Sequence, residues 1–326
     1  MSKKFNNKYL LIAFAALVAL FVFVKFYRSV MTERTLKTDI INIDTAKVTR
    51  ILLYPQAEKG KELVFLKKGT SWSISDGKLE TETGKGMVKN ILNQLLDIKA
   101  KRLVARSKDK WAEYQLTDTS ATRIKVFEGD KESLNIYIGK FTYQQSNDPY
   151  GGYGRGGGVI GTSYVRLANE KEIYAVDGFL TFAFNQSFNN WRNQTFVELN
   201  QSNVSKLTFR YPADSSFVLS KENKKWMVNG AMADSAKVLE YLNSLSNKNA
   251  STFDDEFTPI GNSQYQLTIE GNNMSNITVD GFTKSENEFK INSTLNSKAW
   301  FSSDRKGLFK DIFKGKKDFM EGKKKK

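Results

Sequence analysis

The chain has 326 residues, 40% hydrophobic and 13% aromatic, which is room for one large or two ordinary domains with a sizeable core. It contains neither cysteine nor histidine, which excludes thiol nucleophiles, disulfides, zinc–thiolate sites and histidine acid–base catalysis. A net charge of +15 raises the question of nucleic acid, but the lysines gather at the chain ends ("MSKKFNNK", "GKKDFMEGKKKK") or scatter over strand edges and turns. No nucleic-acid partner is expected.

In chain order, residues 1–8 form a lysine-bearing tail that is expected to be cytoplasmic. Leu10 to Val24, "LLIAFAALVALFVFV", is unbroken apolar and reaches about 22 Å as a helix, against about 30 Å for a bilayer core. Tyr9, Phe26 and Tyr27, with Lys25 snorkelling, bring it close to a full span. A cleaved signal peptide needs small residues after the apolar run, and "KFYRS" stands there instead. Residues 9–27 are therefore expected to be an uncleaved transmembrane anchor in the inner membrane. A tail this short stays cytoplasmic, which places the single-pass chain from about residue 30 onward in the periplasm. Residues 28–42 read as a linker.

The rest of the chain repeats. "VTRILLYPQAEKGKELVFLKKGTSWSI" from Val48 answers "VSKLTFRYPADSSFVLSKENKKWMV" from Val204, each giving strands around a Tyr-Pro turn and a tryptophan, Trp72 or Trp226. Val88, Ile91, Leu92 and Leu95 recur as Val238, Tyr241, Leu242 and Leu245, one apolar face of an amphipathic helix in each copy. Gly129 and Gly139 match Gly271 and Gly281 as hairpin turn and strand end. Both copies close with strands, an aromatic helix and a terminal turn, in which Thr195-Phe196 aligns with Asp318-Phe319. The predicted fold is α+β: an N-terminal transmembrane helix, a first repeat over 43–198, a second over 199–319, each with antiparallel strands and amphipathic helices, and a basic disordered tail over 320–326.

Within the first copy, "NDPYGGYGRGGGVIG" spaces Gly152, Gly154 and Gly157 as G-x-G-x-x-G. A dinucleotide site needs a strand, then the glycines, then a helix whose N-terminus meets the pyrophosphate. Here strand "LNIYIG" precedes and strand "YVRL" follows, and the second copy lacks the insertion. The stretch is expected to be an enlarged hairpin loop carrying Tyr143, just before it, with Tyr150, Tyr153 and Arg155. It is either a partner-contact loop, since Tyr and Arg among glycines recur at interfaces, or a flexible solvated one.

Other candidate chemistry is weaker. Ser107 and Lys110 satisfy S-x-x-K, but "RSKDKW" is densely charged and no companion element of that nucleophile class is present. "FDDEF" gathers Asp254, Asp255 and Glu256 without the alternate spacing of a calcium loop, and fits a solvated acidic turn. Trp72 and Trp226 read as core anchors. Asp234 or Ser235 is expected to cap a helix. The tripeptides Asp44-Thr45-Ala46 and Asp234-Ser235-Ala236 also resemble the O-glycosylation sequon of exported Bacteroidota proteins, a group that the Lys- and Asn-rich composition suits. That resemblance makes Thr45 and Ser235 candidate O-glycosylation positions. No catalytic, cofactor or metal residue is assigned.

A one-pass anchor, tandem copies around "SWSI" and "KWMV", and the stretches "IYIG", "YVRL", "IYAVDGFL" and "WRNQTF" together resemble an uncharacterised family. Its members are membrane-anchored, extracytoplasmic, β-rich repeat proteins commonly encoded beside ABC transporters of the gliding-motility type. The resemblance runs from residue 1 to about 320 and carries no catalytic motif. It implies a non-enzymatic accessory or scaffold protein that partners the membrane or substrate-binding subunits of such a transporter. An independent envelope protein binding peptidoglycan or another envelope protein stands as the alternative. A carboxylate-based glycan enzyme, which needs two facing carboxylates about 5–10 Å apart, comes after it.

Overall fold

The computed structural model describes residues 7–32, 38–145 and 159–320. The apolar run lies in helix α1 (Asn7–Thr32). Its described side chains, Ile12 and residues 14–25, are all exposed. Among the described residues no helix is long and apolar enough to cross a membrane.

The first copy then runs β1 (Val48–Tyr54), β2 (Leu63–Lys68), β3 (Ser71–Ser75), β4 (Glu80–Glu82), α2 (Met87–Leu96), β5 (Ala100–Ala105), β6 (Thr122–Glu128), β7 (Lys131–Gln145), β8 (Val159–Leu167), β9 (Ile173–Asp177), α3 (Leu180–Phe184) and α4 (Phe188–Trp191). After β10 (Thr195–Glu198) come β11 (Val204–Arg210), β12 (Phe217–Glu222), β13 (Lys225–Val228), β14 (Ala231–Met232), α5 (Ser235–Leu245), β15 (Asn247–Asn249), β16 (Tyr265–Gly271), β17 (Ile277–Ser285), β18 (Glu288–Ser293), β19 (Phe301–Asp304) and α6 (Leu308–Ile312). The strands pair antiparallel, so the chain is β-rich α+β.

Two compact units emerge, Met1–Gly60 with Asn90–Asn185, and Lys61–Lys89 with Gln186–Lys326. The first unit has strand order β1-β6-β7-β8-β9-β5. The second holds the order β14-β13-β12-β11-β16-β17-β18-β19, the pair β10-β15, and the order β4-β3-β2. Thus β1-β6-β7-β8-β9 recurs as β11-β16-β17-β18-β19, and β4-β3-β2 as β14-β13-β12. Local physics repeats with it. β1 buries Val48, Ile51 and Leu53 where β11 buries Val204, Leu207 and Phe209, and each strand bulges just after its first valine.

The helical face read from the sequence is the buried one in both copies. Val88, Ile91, Leu92 and Leu95 of α2 are buried, as are Val238, Tyr241, Leu242 and Leu245 of α5. α5 starts at Asp234, whose carboxylate accepts from the Ala236 and Lys237 amides at 3.1 and 3.3 Å. This satisfies two amides that the first turn leaves without a helical partner.

Three sequence matches shift. Trp72 and Trp226 share a register, opposite Lys67 and Lys221, but only Trp226 is buried. Trp72 is half-buried. The indole that packs edge-on against Phe65, at 5.6 Å, is Trp191. The Gly84 amide donates to the Trp191 carbonyl at 3.0 Å, as the Asp234 amide donates to that of Phe319 at 2.9 Å. Trp191 therefore answers Phe319, whereas Thr195 lies in β10, paired with Asn249 of β15. A tryptophan-to-phenylalanine exchange hides the true correspondence, while a chance Phe dipeptide advertises a false one. Register also puts Glu128, not Gly129, opposite Val48, the place Gly271 takes opposite Val204.

Candidate functional site

The longest strand, β7, has 15 residues against 9 in its counterpart β17. Its first half belongs to the sheet and its second half leaves it. Tyr137 pairs with Arg166 of β8, and the Arg166 side chain is almost fully buried. The Arg166 guanidinium lies between the Trp111 ring, 3.7 Å away, and the Tyr137 ring, 3.6 Å away. Its Nε donates to the Leu116 carbonyl at 2.7 Å and its Nη2 to Asp118 at 3.2 Å. Burial pulls the guanidinium below its ordinary pKa, and burial, followed by a hydrogen bond with Asp118, pushes the Tyr137 phenol up. Arg123 adds a second cation 4.8 Å from the Tyr137 ring. This face of the sheet carries a small core of Leu116, Ala121, Tyr137, Tyr164, Ile173 and Ala175. Sequence reasoning missed Arg166; its one signal is an arginine inside the otherwise apolar "SYVRL".

Above this base the strand bulges between Ile138 and Phe141. Glycine is required at the bulge, because a β-carbon on Gly139 would stand 2.1 Å from the Tyr114 carbonyl oxygen. That same oxygen accepts the Lys140 amide at 3.0 Å, and the Thr181 hydroxyl donates to the Gly139 carbonyl at 2.8 Å. A bulge bends its strand and re-aims the residues beyond it.

Beyond the bulge, β9 still pairs with β8 at Ser163 and Thr162, opposite Phe141 and Thr142. Past that point β7 and β8 continue as a short two-stranded ribbon, pairing Tyr143 with Gly161, Gln144 with Ile160 and Gln145 with Val159. The ribbon's root is aromatic. The Phe141 ring meets Phe179 at 5.5 Å and Phe182 at 4.8 Å, and a β-carbon on Gly161 would lie 2.7 Å from the Phe179 ring. Its outer part offers apolar groups to solvent: Tyr143 is 70% exposed, Val159 57%, Ile160 54%, and Phe182 at the root 61%. Grouped exposed apolar side chains mark contact sites in soluble proteins.

The ribbon holds both ends of the glycine-rich loop. Tyr150, Tyr153 and Arg155 lie outside the described residues. β8 begins at Val159, so the described residues after the glycines are a strand, not a helix whose N-terminus could meet a phosphate. Ser107 and Lys110 do not form a dyad: the Ser107 hydroxyl donates to Asp109, and Lys110 pairs with Glu113 at 3.0 Å.

"FDDEF" is a solvated acidic turn only in part: Asp255 and Glu256 are exposed in a turn, but Asp254 and Asp255 are tied to buried cations. Asp255 takes the buried Arg192 guanidinium in two bonds of 2.7 Å, and Asp254 sits 2.5 Å from the buried Lys290 ammonium. Phe253 stacks 3.7 Å from the Arg192 guanidinium, and Phe257 packs on Trp300 at 4.9 Å. Each acid neutralises a cation that the fold has taken out of water, which an unpaired burial would forbid. The signal for this lay in distant residues, so local spacing did not show it. Among the described residues no group of three or more His, Cys, Asp or Glu side chains could hold a metal ion. Thr45 and Ser235 are both exposed, Thr45 in the turn before β1 and Ser235 as the first residue of α5.

Residues 80–268 match the family described as Domain of unknown function (DUF4340). The chain belongs to this family. The match begins at β4 and ends within β16, so the DUF4340 region takes in the whole β7–β8 ribbon and the "FDDEF" staple. No curated protein and no solved structure matches the chain. Membership of a family of unknown function agrees with the sequence expectation, and it brings no catalytic residue to the ribbon.

Proposed function

We propose that this protein is a non-enzymatic accessory or scaffold protein of the cell envelope, anchored in the inner membrane by residues 9–27 with the bulk of the chain in the periplasm. The β7–β8 ribbon is its docking element for an ABC transporter of the gliding-motility type. The observation that carries the reading is the ribbon itself: an extension present in one copy of the repeat, rooted on a packed aromatic base and ending in exposed Tyr143, Val159 and Ile160. Such extensions are where a rigid scaffold places contact residues. The transporter as partner follows from the resemblance to repeat proteins encoded beside such systems.

Support for the anchor comes from α1. The apolar run Leu10–Val24 lies within this one helix, and its described side chains are exposed. A helix apolar on every face is stable only in lipid or in a protein core. Asp254 and Glu288, which share the Lys290 ammonium, do not suit a glycosidase acid, which needs a raised pKa, because a hydrogen bond from Lys290 is the main cause that holds both below their ordinary values. Thr45 and Ser235 stand as candidate O-glycosylation positions on such an exported chain.

The test is co-purification of the tagged, detergent-solubilised protein from its own cells, wild type against a Tyr143→Ser/Ile160→Ser variant. Exposed substitutions shift stability by only about 0.5 kcal/mol each, so the melting temperature should hold. Recovery of transporter subunits should fall at least about tenfold, because aromatic anchors dominate interface energies. Equal recovery with the variant, or no transporter subunit with the wild type, would overturn the proposal.

A further inference from the structure

Trp72 occupies the register that its repeat counterpart fills with a buried core indole, yet it is left at the surface of a cleft. Two adjoining cavities of about 460 and 530 Å³ lie between the β3–β4 edge and the 3-10 turn Thr294–Asn296, and Ser71, Trp72, Glu82 and Leu295 line both. Each is within the size range of small-molecule sites. The shared wall is mixed, with half-buried Trp72 and exposed Leu295 as its apolar members and Ser71 and Glu82 as its polar ones. The surroundings are polar, with Asn296, Ser297 and Lys298 on one side and Asn193, Thr195 and Glu198 on the other.

Two polar groups on this wall are left open. Among the described residues the indole N–H of Trp72 has no protein acceptor, and at a half-buried side chain lining a cleft it is open to a ligand. The Glu82 carboxylate, exposed beside it, has no ion-pair partner among the described residues either. A flat aromatic face next to an open donor and an open acceptor is the complement of a sugar ring, which carries C–H groups on its faces and hydroxyls on its edge.

Charge narrows the ligand. Lys68 pairs with Glu80, and Lys85 approaches Glu198 at 3.5 Å. Acids and lysines thus alternate around the clefts, with no concentrated field of one sign that would select a polyanion. We propose that the Trp72 cleft binds a neutral glycan, with the Trp72 ring stacking on one sugar and Glu82 accepting from its hydroxyls. Two cavities sharing one wall suit an oligosaccharide whose successive units lie on either side of the indole. The site is separate from the ribbon, so transporter docking and glycan binding stand or fall independently.

The test is titration of the full chain, purified in detergent, with a β-1,4-linked N-acetylglucosamine tetramer, followed by calorimetry and by indole fluorescence. Saturable binding is expected, with a change in indole emission. Trp72→Ala should weaken it at least tenfold and abolish most of that emission change. Because Trp72→Ala also removes packing, Glu82→Gln provides the arm that leaves the fold untouched, and it should weaken binding about threefold or more. No binding by the wild type at about 10 mM tetramer, or equal affinity in both variants, would overturn the proposal.

Discussion

Trp226→Ala is expected to lower stability by about 3–5 kcal/mol, and Trp191→Ala by a similar amount, whereas Trp72→Ala should cost about 1–2 kcal/mol. The two large effects share a cause. Trp226 is 2% exposed within the core that also contains Leu219, Val228 and Phe319. Trp191 is 4% exposed, edge-on to Phe65, with its N–H bonded to a carbonyl. Truncating either leaves a void that packed neighbours fill only in part. Trp72 gives its ring partly to solvent, so less contact is lost. Denaturant unfolding of the three variants checks the order. A Trp72 variant as unstable as the Trp226 variant would show that the repeat places both indoles alike and would remove the open cleft.

The second large effect is expected at "FDDEF". Asp255→Ala leaves the Arg192 guanidinium, 2% exposed, without the carboxylate that meets it in two bonds, and should destabilise by about 3 kcal/mol. A pH dependence accompanies it through the neighbouring acid. Asp254 has its pKa held below the ordinary aspartate value, first by the hydrogen bond from Lys290. A depressed folded pKa gives stability that is complete above the unfolded value of about 3.9 and is lost as pH falls through the lower folded value. Melting temperatures measured from pH 7 down to pH 2 should therefore drop below pH 4 in the wild type. Asp254→Asn should begin less stable and drop less steeply. Parallel curves for the two proteins would show that the Asp254–Lys290 pair contributes nothing to the acid transition.

Much of the scaffold was legible because it is written in local periodicity. Val88, Ile91, Leu92 and Leu95 had to share a face at 3.6 residues per turn, and burial followed that face. The inward face of β1, Val48, Ile51 and Leu53, was less plain, because Leu52 between them is apolar too and a bulge displaces the alternation after Val48. What stayed hidden is non-local. Nothing near Arg166 in the chain says that Trp111 and Tyr137 will close on both sides of it, and nothing near Arg192 announces Asp255. The half-burial of Trp72 was hidden for another reason. Register equivalence to Trp226 is a property of the backbone, while burial depends on what covers the indole, and Trp191 takes the packed place against Phe65. The ribbon was partly legible: the insertion showed in the comparison of copies, but Tyr143 read as part of the loop where it lies in β7, and Ile160 looked like an ordinary residue beside the glycines.

The most direct test of a docking role for the ribbon is site-specific photo-crosslinking in living cells. A benzophenone-bearing phenylalanine analogue replaces Ile160, on the ribbon, or Ile260, which is 91% exposed and belongs to the second unit and to no ribbon strand. On illumination, the protein labelled at position 160 should give a discrete adduct containing a subunit of a membrane transporter, and the protein labelled at position 260 should give none. Absence of an adduct at 160, or the same adduct from both positions, would contradict the assignment of the ribbon as the partner-binding element.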